Sequence, residues 1–416
     1  MSDTDVPPEP TRPIRILILS TYYHPVVGGS ETNARQLATY LHGRGFKVTV
    51  LTKQVGSDVP RQEVLDGVSV VRVPPAGSRA SGQKWLMLPS VFIAMLQRRG
   101  LFDLVFSPDY RGIGVAGILA ARLLGRPCAM GTAALGVINA QNLDPLLNRL
   151  HISTTGWLSA IIRWPLRAIY TSADAYPAIT HAIEREAIAA GVPASRVHYL
   201  PNSVDVLRFR SPEPGERETL RAAMGWPTDA VICLYLARLS REKGLMDLMA
   251  AWHELNTDKA LLYVGGPDME GHPFNVGPAA RAFVEEHGLQ HSVRFLGPTS
   301  EPETLLRAAD CLVQPSHWEA APFGVLEAMA TGLPVVATRV GGMAEYLTHD
   351  ANALLCEPHD PAGLARQLAR MIDDAAMRYR LAKSGRAVVL REFDQAVICA
   401  RYAELFTALA SGAGRQ

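Results

Sequence analysis

The stretch CLVQPSHWEAAPFGVLEAMATGLPVVAT, residues 311–338, reads as one repeat of an alternating pattern. CLVQPS is an apolar run of strand length, Pro322 fits the first position of a helix, and PVVAT is a strand again. Strands joined through helices lie parallel in one sheet, with the helices on its faces. Working outward, the same alternation fills nearly the whole chain. VICLYLAR (231–238), LLYVGG from Leu261 and VRFLG from Val293 precede the stretch as strands, each followed by a helical segment. An earlier series comprises IRILILS (14–20), KVTVLT (47–52) and the runs 68–73, 103–107 and 127–131; Ala34, Leu37, Ala38 and Leu41 mark one face of the helix after its first strand. Between the two series, LPNSVDVLRFRSPEPGE is rich in Pro and charge and reads as a linker near residues 201–216.

The expectation is an α/β chain of two doubly wound parallel-sheet domains. A loose acidic, Pro-rich tail covers 1–12, a first domain 13–200, the linker 201–216, a second domain 217–391 and a closing segment 392–416. The length of 416 residues suits about two domains. Ligands of such sheets bind beyond the carboxyl ends of the strands, so the residues of interest should follow strands.

They do. Glu319 and Glu327 stand eight positions apart among small and apolar residues, with Pro322 and Gly324 between them. A helix starting at Pro322 would present the N–H groups of Phe323, Gly324 and Val325 to an anion, above all phosphate. Glu319 then lies in the loop before the helix, and Glu327, a little over one turn in, leans back toward the same place. A carboxylate only accepts hydrogen bonds, so each Glu could hold hydroxyl groups; a nucleotide sugar offers hydroxyls and phosphate together. The alternative is an exposed loop glutamate and an ordinary helical surface charge. In ARLSREKGL (237–245), Arg238 and Lys243 leave the end of a strand and could converge on a diphosphate, unless they form a solvated turn with Glu242 as partner. In HPVVGGSETNARQLATYL (24–41), Gly28 and Gly29 allow close backbone approach and Ser30 could cap the next helix; a plain Gly-Gly turn is the competing reading. This is not the GxGxxG dinucleotide fingerprint.

Composition narrows the partners. Residues 1–200 carry 20 Lys+Arg against 13 Asp+Glu, an excess of +7, and residues 201–416 carry 21 against 27, or −6. The basic half favours anionic partners such as phosphorylated or lipid-linked substrates, and nothing in the sequence points to nucleic acid. Five scattered cysteines, without CxxC pairs or His at metal-ligand spacing, read as reduced core residues of a cytosolic protein. No apolar run approaches the ~20 residues needed to span a bilayer.

Together these motifs resemble the retaining glycosyltransferases of family four, of the two-Rossmann-domain type called GT-B. Glu319 and Glu327 match that family's E-x7-E signature. ARLSREKG resembles its G-R-L-x-x-E-K-G block, YVGGP its V-G-x-G-P, VRFLG and ADCLVQPS its V-x-F-L-G and A-D-x-x-x-x-P-S, and LPNSVDVLRF its P-N-G-V-D-x-x-x-F. The resemblance implies a cytoplasmic enzyme moving a hexose-type sugar, with a UDP-sugar favoured, onto an acceptor in cell-surface polysaccharide, lipid-linked glycan or glycolipid synthesis. It implies catalytic roles for Glu319, Arg238 and Lys243, with Glu319 at the donor sugar. Diphosphate contacts would come from Arg238, Lys243, Phe323, Gly324, Val325, Gly28 and Gly29, ribose contacts from Glu327, and base contacts from Phe295, Leu296 and Gly297. The last helix, around 393–409, would cross back onto the first domain. The nucleotide sugar would be a co-substrate, with no cofactor and no metal, since cationic side chains neutralise the departing diphosphate.

Three departures stand out: Ala237 and Ser203 replace glycines of the pattern, and AMGTAALG (129–136) has Gly131 and Thr132 where many members carry a histidine. Two other classes remain compatible with the motifs, a nucleotide-sugar epimerase of the same architecture and a non-catalytic nucleotide-sugar sensor. For the acceptor, KWLMLPSVFIAMLQRR (84–99) and WLSAIIRWPLRAIY (157–170) mix Trp, aliphatic and Arg residues. They suit either peripheral contact with an anionic inner membrane face or packing into the first domain's core.

Overall fold

The computed structural model describes residues 12–26, 28–77, 86–132 and 134–412, the side chains of Tyr110 and Asn142 excepted. Of the expected tail, Arg12 alone falls among them. The chain divides into two compact units, one of residues 1–201 with 399–416 and one of residues 202–398.

In the first unit, β1 (Arg15–Leu19), β2 (Lys47–Lys53), β3 (Gln62–Leu65), β4 (Val68–Val73), β5 (Leu104–Ser107) and β6 (Cys128–Met130) form a sheet in the order β3-β4-β2-β1-β5-β6. All pairs are parallel except β3 with β4. A short parallel pair, β7 (Tyr176–Ala178) and β8 (Val197–Tyr199), follows. β1 buries every residue from Ile16 to Leu19, as a central strand covered on both faces must. The helix Gly29–Gly43 buries Ala34, Leu37, Ala38 and Leu41, the face read from its spacing. The C-terminal helix Gln395–Ser411 ends in this unit, where Phe106 meets Tyr402 and Phe406 at centroid distances of 5.5 and 5.2 Å.

The second unit is built on β9 (Val231–Leu236), β10 (Ala260–Gly265), β11 (Val293–Gly297), β12 (Cys311–Gln314), β13 (Val335–Thr338) and β14 (Leu354–Cys356), in the order β11-β10-β9-β12-β13-β14 and parallel throughout. Alternate residues feed two cores: Cys233 and Tyr235 belong to one cluster, Ile232 and Leu234 to another. Both faces of the sheet are therefore covered, which explains why these strands read as continuous apolar runs. The stretch expected as a linker is packed against this unit. Val204 and Phe209 lie in its core, and Val204 exchanges backbone hydrogen bonds with Phe393 and Gln395 at 2.9 and 3.0 Å.

Asp310 anchors the start of β12. Its Oδ2 accepts from the Ile232 amide at 2.7 Å and from the Arg221 guanidinium at 2.5 Å, and Arg221 is buried. Asp310→Ala would leave that guanidinium without its counter-charge, so we expect a loss of about 3–5 kcal/mol in urea unfolding. The unfolding slope m should stay unchanged if only the native state is affected.

Candidate functional site

The site of the second unit forms where its strands end. β9 stops at Leu236, and after a turn the residues Arg241–Lys243 make one turn of 3-10 helix before Gly244 and the helix Leu245–Leu255. β12 stops at Gln314, and the loop 315–322 leads into the helix Phe323–Thr331. β9 and β12 are neighbours in register, Cys311 beside Cys233 and Leu312 beside Leu234, so their following loops emerge side by side. Contact is close enough to demand glycine at two points. At Gly244, with φ +70°, a Cβ would overlap the Pro315 carbonyl; at Gly341, with φ +49°, one would overlap the Glu319 carbonyl.

The loops meet in an ion pair. Glu319 is 6% exposed. Its Oε1 accepts from Lys243 Nζ at 2.5 Å, Ser316 Oγ at 2.9 Å and Gln314 Nε2 at 3.2 Å. No protein donor among the described residues reaches its other carboxylate oxygen, Oε2, which is thus the one a ligand hydroxyl would meet. The exposed-loop alternative for Glu319 is excluded. Asn202 donates its side-chain N–H to the Ala321 carbonyl at 2.8 Å and so braces the loop just before the helix. It has a positioning role that the sequence offered only as part of the P-N-S motif.

The helix begins one residue later than its proline suggested. Pro322 is the N-cap, in extended conformation with ψ 127°, and Phe323, Gly324 and Val325 form the first turn with no side-chain cap. A Cβ on Gly324 would lie 3.6 Å from the Leu236 carbonyl, which places this helix start against the end of β9. Lys243, Glu319 and the free amides of Phe323–Val325 are thereby gathered within one corner of the unit. Arg238, two residues past Leu236, has a side chain 51% exposed and donates to Glu242 Oε1 at 3.3 Å. The pairing with Glu242 posed as the alternative is the one present, while the carbonyl of Arg238 accepts from the buried Tyr235 hydroxyl at 3.1 Å.

Glu327 lies half-buried on the same helix, and among the described residues its carboxylate has no hydrogen-bond partner. Burial pushes its pKa up to about 7; Arg208, itself paired with Glu303 at 2.8 Å, pulls it down and Glu303 pushes it up. It is not an ordinary surface charge. Phe295, Leu296 and Gly297 end β11, where the Arg281 guanidinium sits 5.0 Å from the Phe295 ring centroid and the Gly297 carbonyl accepts from the Gly266 amide at 2.8 Å.

In the first unit, Gly28 is the N-cap of the helix Gly29–Gly43. Ser30 is not the cap, contrary to the expectation from its residue type: it sits inside the first turn, and the Glu31 carboxylate lies against Gly28 instead. Where many family members carry a histidine, Thr132 is buried with its hydroxyl donating to the Ala134 carbonyl at 2.9 Å. A Cβ on Gly131 would come within 3.2 Å of the Pro177 carbonyl, so this loop is too tight for a larger residue there without adjustment.

A parallel α/β unit with a Lys-Glu pair and a bare helix start beyond its strand ends is suited to a phosphate-bearing ligand, and the comparisons with known proteins give the class. Residues 216–388 match the family described as Glycosyl transferases group 1, and residues 28–203 the Glycosyl transferase 4-like domain. The D-inositol 3-phosphate glycosyltransferase 1 of Catenulispora acidiphila is 31% identical over 388 residues, covering 88% of each chain. In fold, the chain is similar to the sucrose-phosphate synthase of Thermosynechococcus elongatus, with TM-score 0.79 and 22% identity over 96% of this chain and 100% of that one. It is also similar to Anabaena Alr3699/HepE solved with UDP and glucose, with TM-score 0.73 and 22% identity over 95% and 100%. The chain belongs to the family-four retaining glycosyltransferases of the GT-B type, and it is a glycosyltransferase.

The raised pKa of Glu327 has a definite sign in stability. Below the ordinary value of 4.5 the group is protonated in folded and unfolded chains alike and costs nothing. As pH rises toward 7 the unfolded chain ionises first, so the fold loses stability, and the loss levels off above that. Glu327→Gln should therefore match the parent near pH 4 and exceed it by about 2–3 kcal/mol near pH 8 in denaturant unfolding. Equal stabilities at both pH values would contradict this environment.

Proposed function

We propose that the chain transfers a hexosyl group from a nucleoside-diphosphate sugar to an acceptor with retention of configuration, using no metal at the diphosphate. The observation that carries this reading is the buried Lys243–Glu319 pair beside the bare start of the helix Phe323–Thr331. When the bond from the sugar's anomeric carbon to the diphosphate oxygen breaks, negative charge grows on the diphosphate. Lys243, Arg238 and the amides of Phe323, Gly324 and Val325 stabilise it there. Arg238 reaches the diphosphate by exchanging its exposed contact with Glu242, a weak pair to give up. The acceptor hydroxyl attacks from the face the diphosphate leaves, and a phosphate oxygen takes its proton, so no strong protein base is needed. Glu319 holds sugar hydroxyls through Oε2, Glu327 takes the ribose hydroxyls, and the end of β11 takes the base.

UDP is the nucleotide we favour; it is the one in the Anabaena complex, whose likeness to this chain is one of fold. For the acceptor we infer an anionic or lipid-linked molecule of cell-surface polysaccharide, glycan or glycolipid synthesis. The name of the Catenulispora relative, with its phosphorylated inositol, supports the anionic part. The helix Trp157–Tyr170 supports the lipid part: it buries Ser159 and Tyr170, while Trp157, Ile161 and Trp164 share one face and the two tryptophans are 76% and 69% exposed. The adjoining helix Asp144–Arg149, tied to it by the Arg163–Asp144 ion pair, adds the exposed Leu146. The other candidate segment packs inward through Val91, Ala94 and Met95, and Lys84 and Trp85 lie outside the described residues. No helix among the described residues is long and apolar enough to cross a membrane, so contact would be with the surface.

A screen of UDP-, GDP- and ADP-sugars for binding, then of acceptors with the tightest donor, tests the reading. Consumption of donor without any acceptor would point instead to an epimerase, and binding without turnover to a sensor. Glu319→Gln and Lys243→Ala should each lower kcat about 10²–10³-fold. Because the pair is buried, Lys243→Ala should also cost about 3 kcal/mol of stability, which makes Glu319→Gln the cleaner variant. Turnover near that of the parent in both would sink the assignment. If Glu327 accepts ribose hydroxyls as a carboxylate, donor KM should rise as pH falls below about 7, and Glu327→Gln should flatten that dependence. Co-sedimentation with anionic vesicles at low salt should be lost when Trp157 and Trp164 are both replaced by Ala.

A further inference from the structure

Beside the donor site, three segments of the second unit bring together a carboxylate and two imidazoles. Asp247 stands on the first turn of the helix Leu245–Leu255, His317 in the loop after β12 and His359 in the loop after β14. Each offers one ligand atom, and the three atoms lie within 4.8 Å of one another. His317 Nε2 is 2.9 Å from Asp247 Oδ2, and His359 Nδ1 is 4.0 Å from the same oxygen. The two rings are 3.7 Å apart between centroids.

An Asp–His hydrogen bond explains the first contact alone. It does not explain why a second imidazole, on a side chain 67% exposed and free to point into water, should lie over the first at a backbone φ of +60°. A shared cation does. Bonds of about 2.0–2.1 Å to a tetrahedral ion hold its ligand atoms about 3.3 Å apart. The separations of 2.9 and 4.0 Å straddle that value and no two of the three ligand atoms are more than 4.8 Å apart, so side-chain shifts of about 1–2 Å would complete the set. Two nitrogens and one carboxylate oxygen suit zinc, cobalt or nickel and not the oxygen-seeking magnesium or calcium.

We propose that Asp247, His317 and His359 form a binding site for a divalent transition metal of the zinc class, with water completing the coordination. Its position gives it a purpose. Asp247 follows Lys243 by four residues and His317 precedes Glu319 by two, so Asp247–His317 is a second rung between the segments already joined by Lys243–Glu319. The His317 amide adds a hydrogen bond to the Glu242 carbonyl at 2.9 Å. A metal bridging both segments to the loop of His359 would lock the loop that carries Glu319. It is a clamp on the scaffold, separate from the diphosphate cradle, and it stands or falls independently of the donor assignment.

The test uses full-length protein without a histidine tag, stripped with EDTA and desalted. Titration with cobalt(II) should give a single equivalent bound with the intense visible absorption of a tetrahedral site, displaced by zinc(II). Zinc should raise the thermal midpoint of the parent. His359→Ala and Asp247→Asn should each bind cobalt more than about tenfold more weakly and lose the zinc-induced shift. His272→Ala, outside the cluster, should behave as the parent. Two substitutions on different segments guard against one that fails to fold, with circular dichroism as the check. No uptake of cobalt by the parent, or equal uptake by the parent and both cluster variants, would overturn the proposal.

Discussion

A carboxylate at 6% exposure is among the more costly things a fold can contain, and Glu319 sits at that exposure in the loop beyond the end of β12. Its charge is tolerable because Lys243, Ser316 and Gln314 all donate to one of its oxygens. Lys243 is 76 positions away in sequence. For the two to meet, β9 and β12 must be adjacent and parallel, their following loops must touch, and Gly244 and Gly341 must carry no side chain. Much of the second unit's architecture follows from satisfying that one pair. In return, the fold itself holds a cation and a carboxylate in fixed orientation, which is the condition under which electrostatic stabilisation is most effective.

The helix Phe323–Thr331 combines two opposite demands. Val325, Leu326, Ala328 and Met329 are buried against the sheet, which fixes the helix in place. Its first-turn amides lack a side-chain cap and Glu327 lacks a protein partner among the described residues, so two polar features of one helix are left unfilled. Unsatisfied groups on an otherwise well-packed element are the mark of a ligand surface, where stability has been given up for binding.

Much of this was legible from residue order. The long apolar runs became central strands because burial on both faces demands continuous hydrophobicity, and the E-x7-E spacing placed Glu319 and Glu327 around a helix start. The strands that escaped notice are short or polar. β3 (Gln62–Leu65) alternates exposed and half-buried residues at a sheet edge, and β7, β8 and β14 have three residues each. A local rule failed at Ser30, where residue type favoured a cap that the helix start at Gly29 did not use.

Residue order by itself determined the alternation of strands and helices, the presence of two sheet-bearing series, and which acidic and basic residues follow strands, because these depend on local periodicity and on what a parallel sheet must bury. Tertiary structure alone decided that Lys243 and Glu319 pair, that one oxygen of Glu319 stays open, that Glu327 loses enough solvent to titrate near neutrality, and that Asp247, His317 and His359 converge. Each of those outcomes is set by contacts between segments distant in the chain, and burial and Coulomb interactions depend on distance in space rather than on position in sequence.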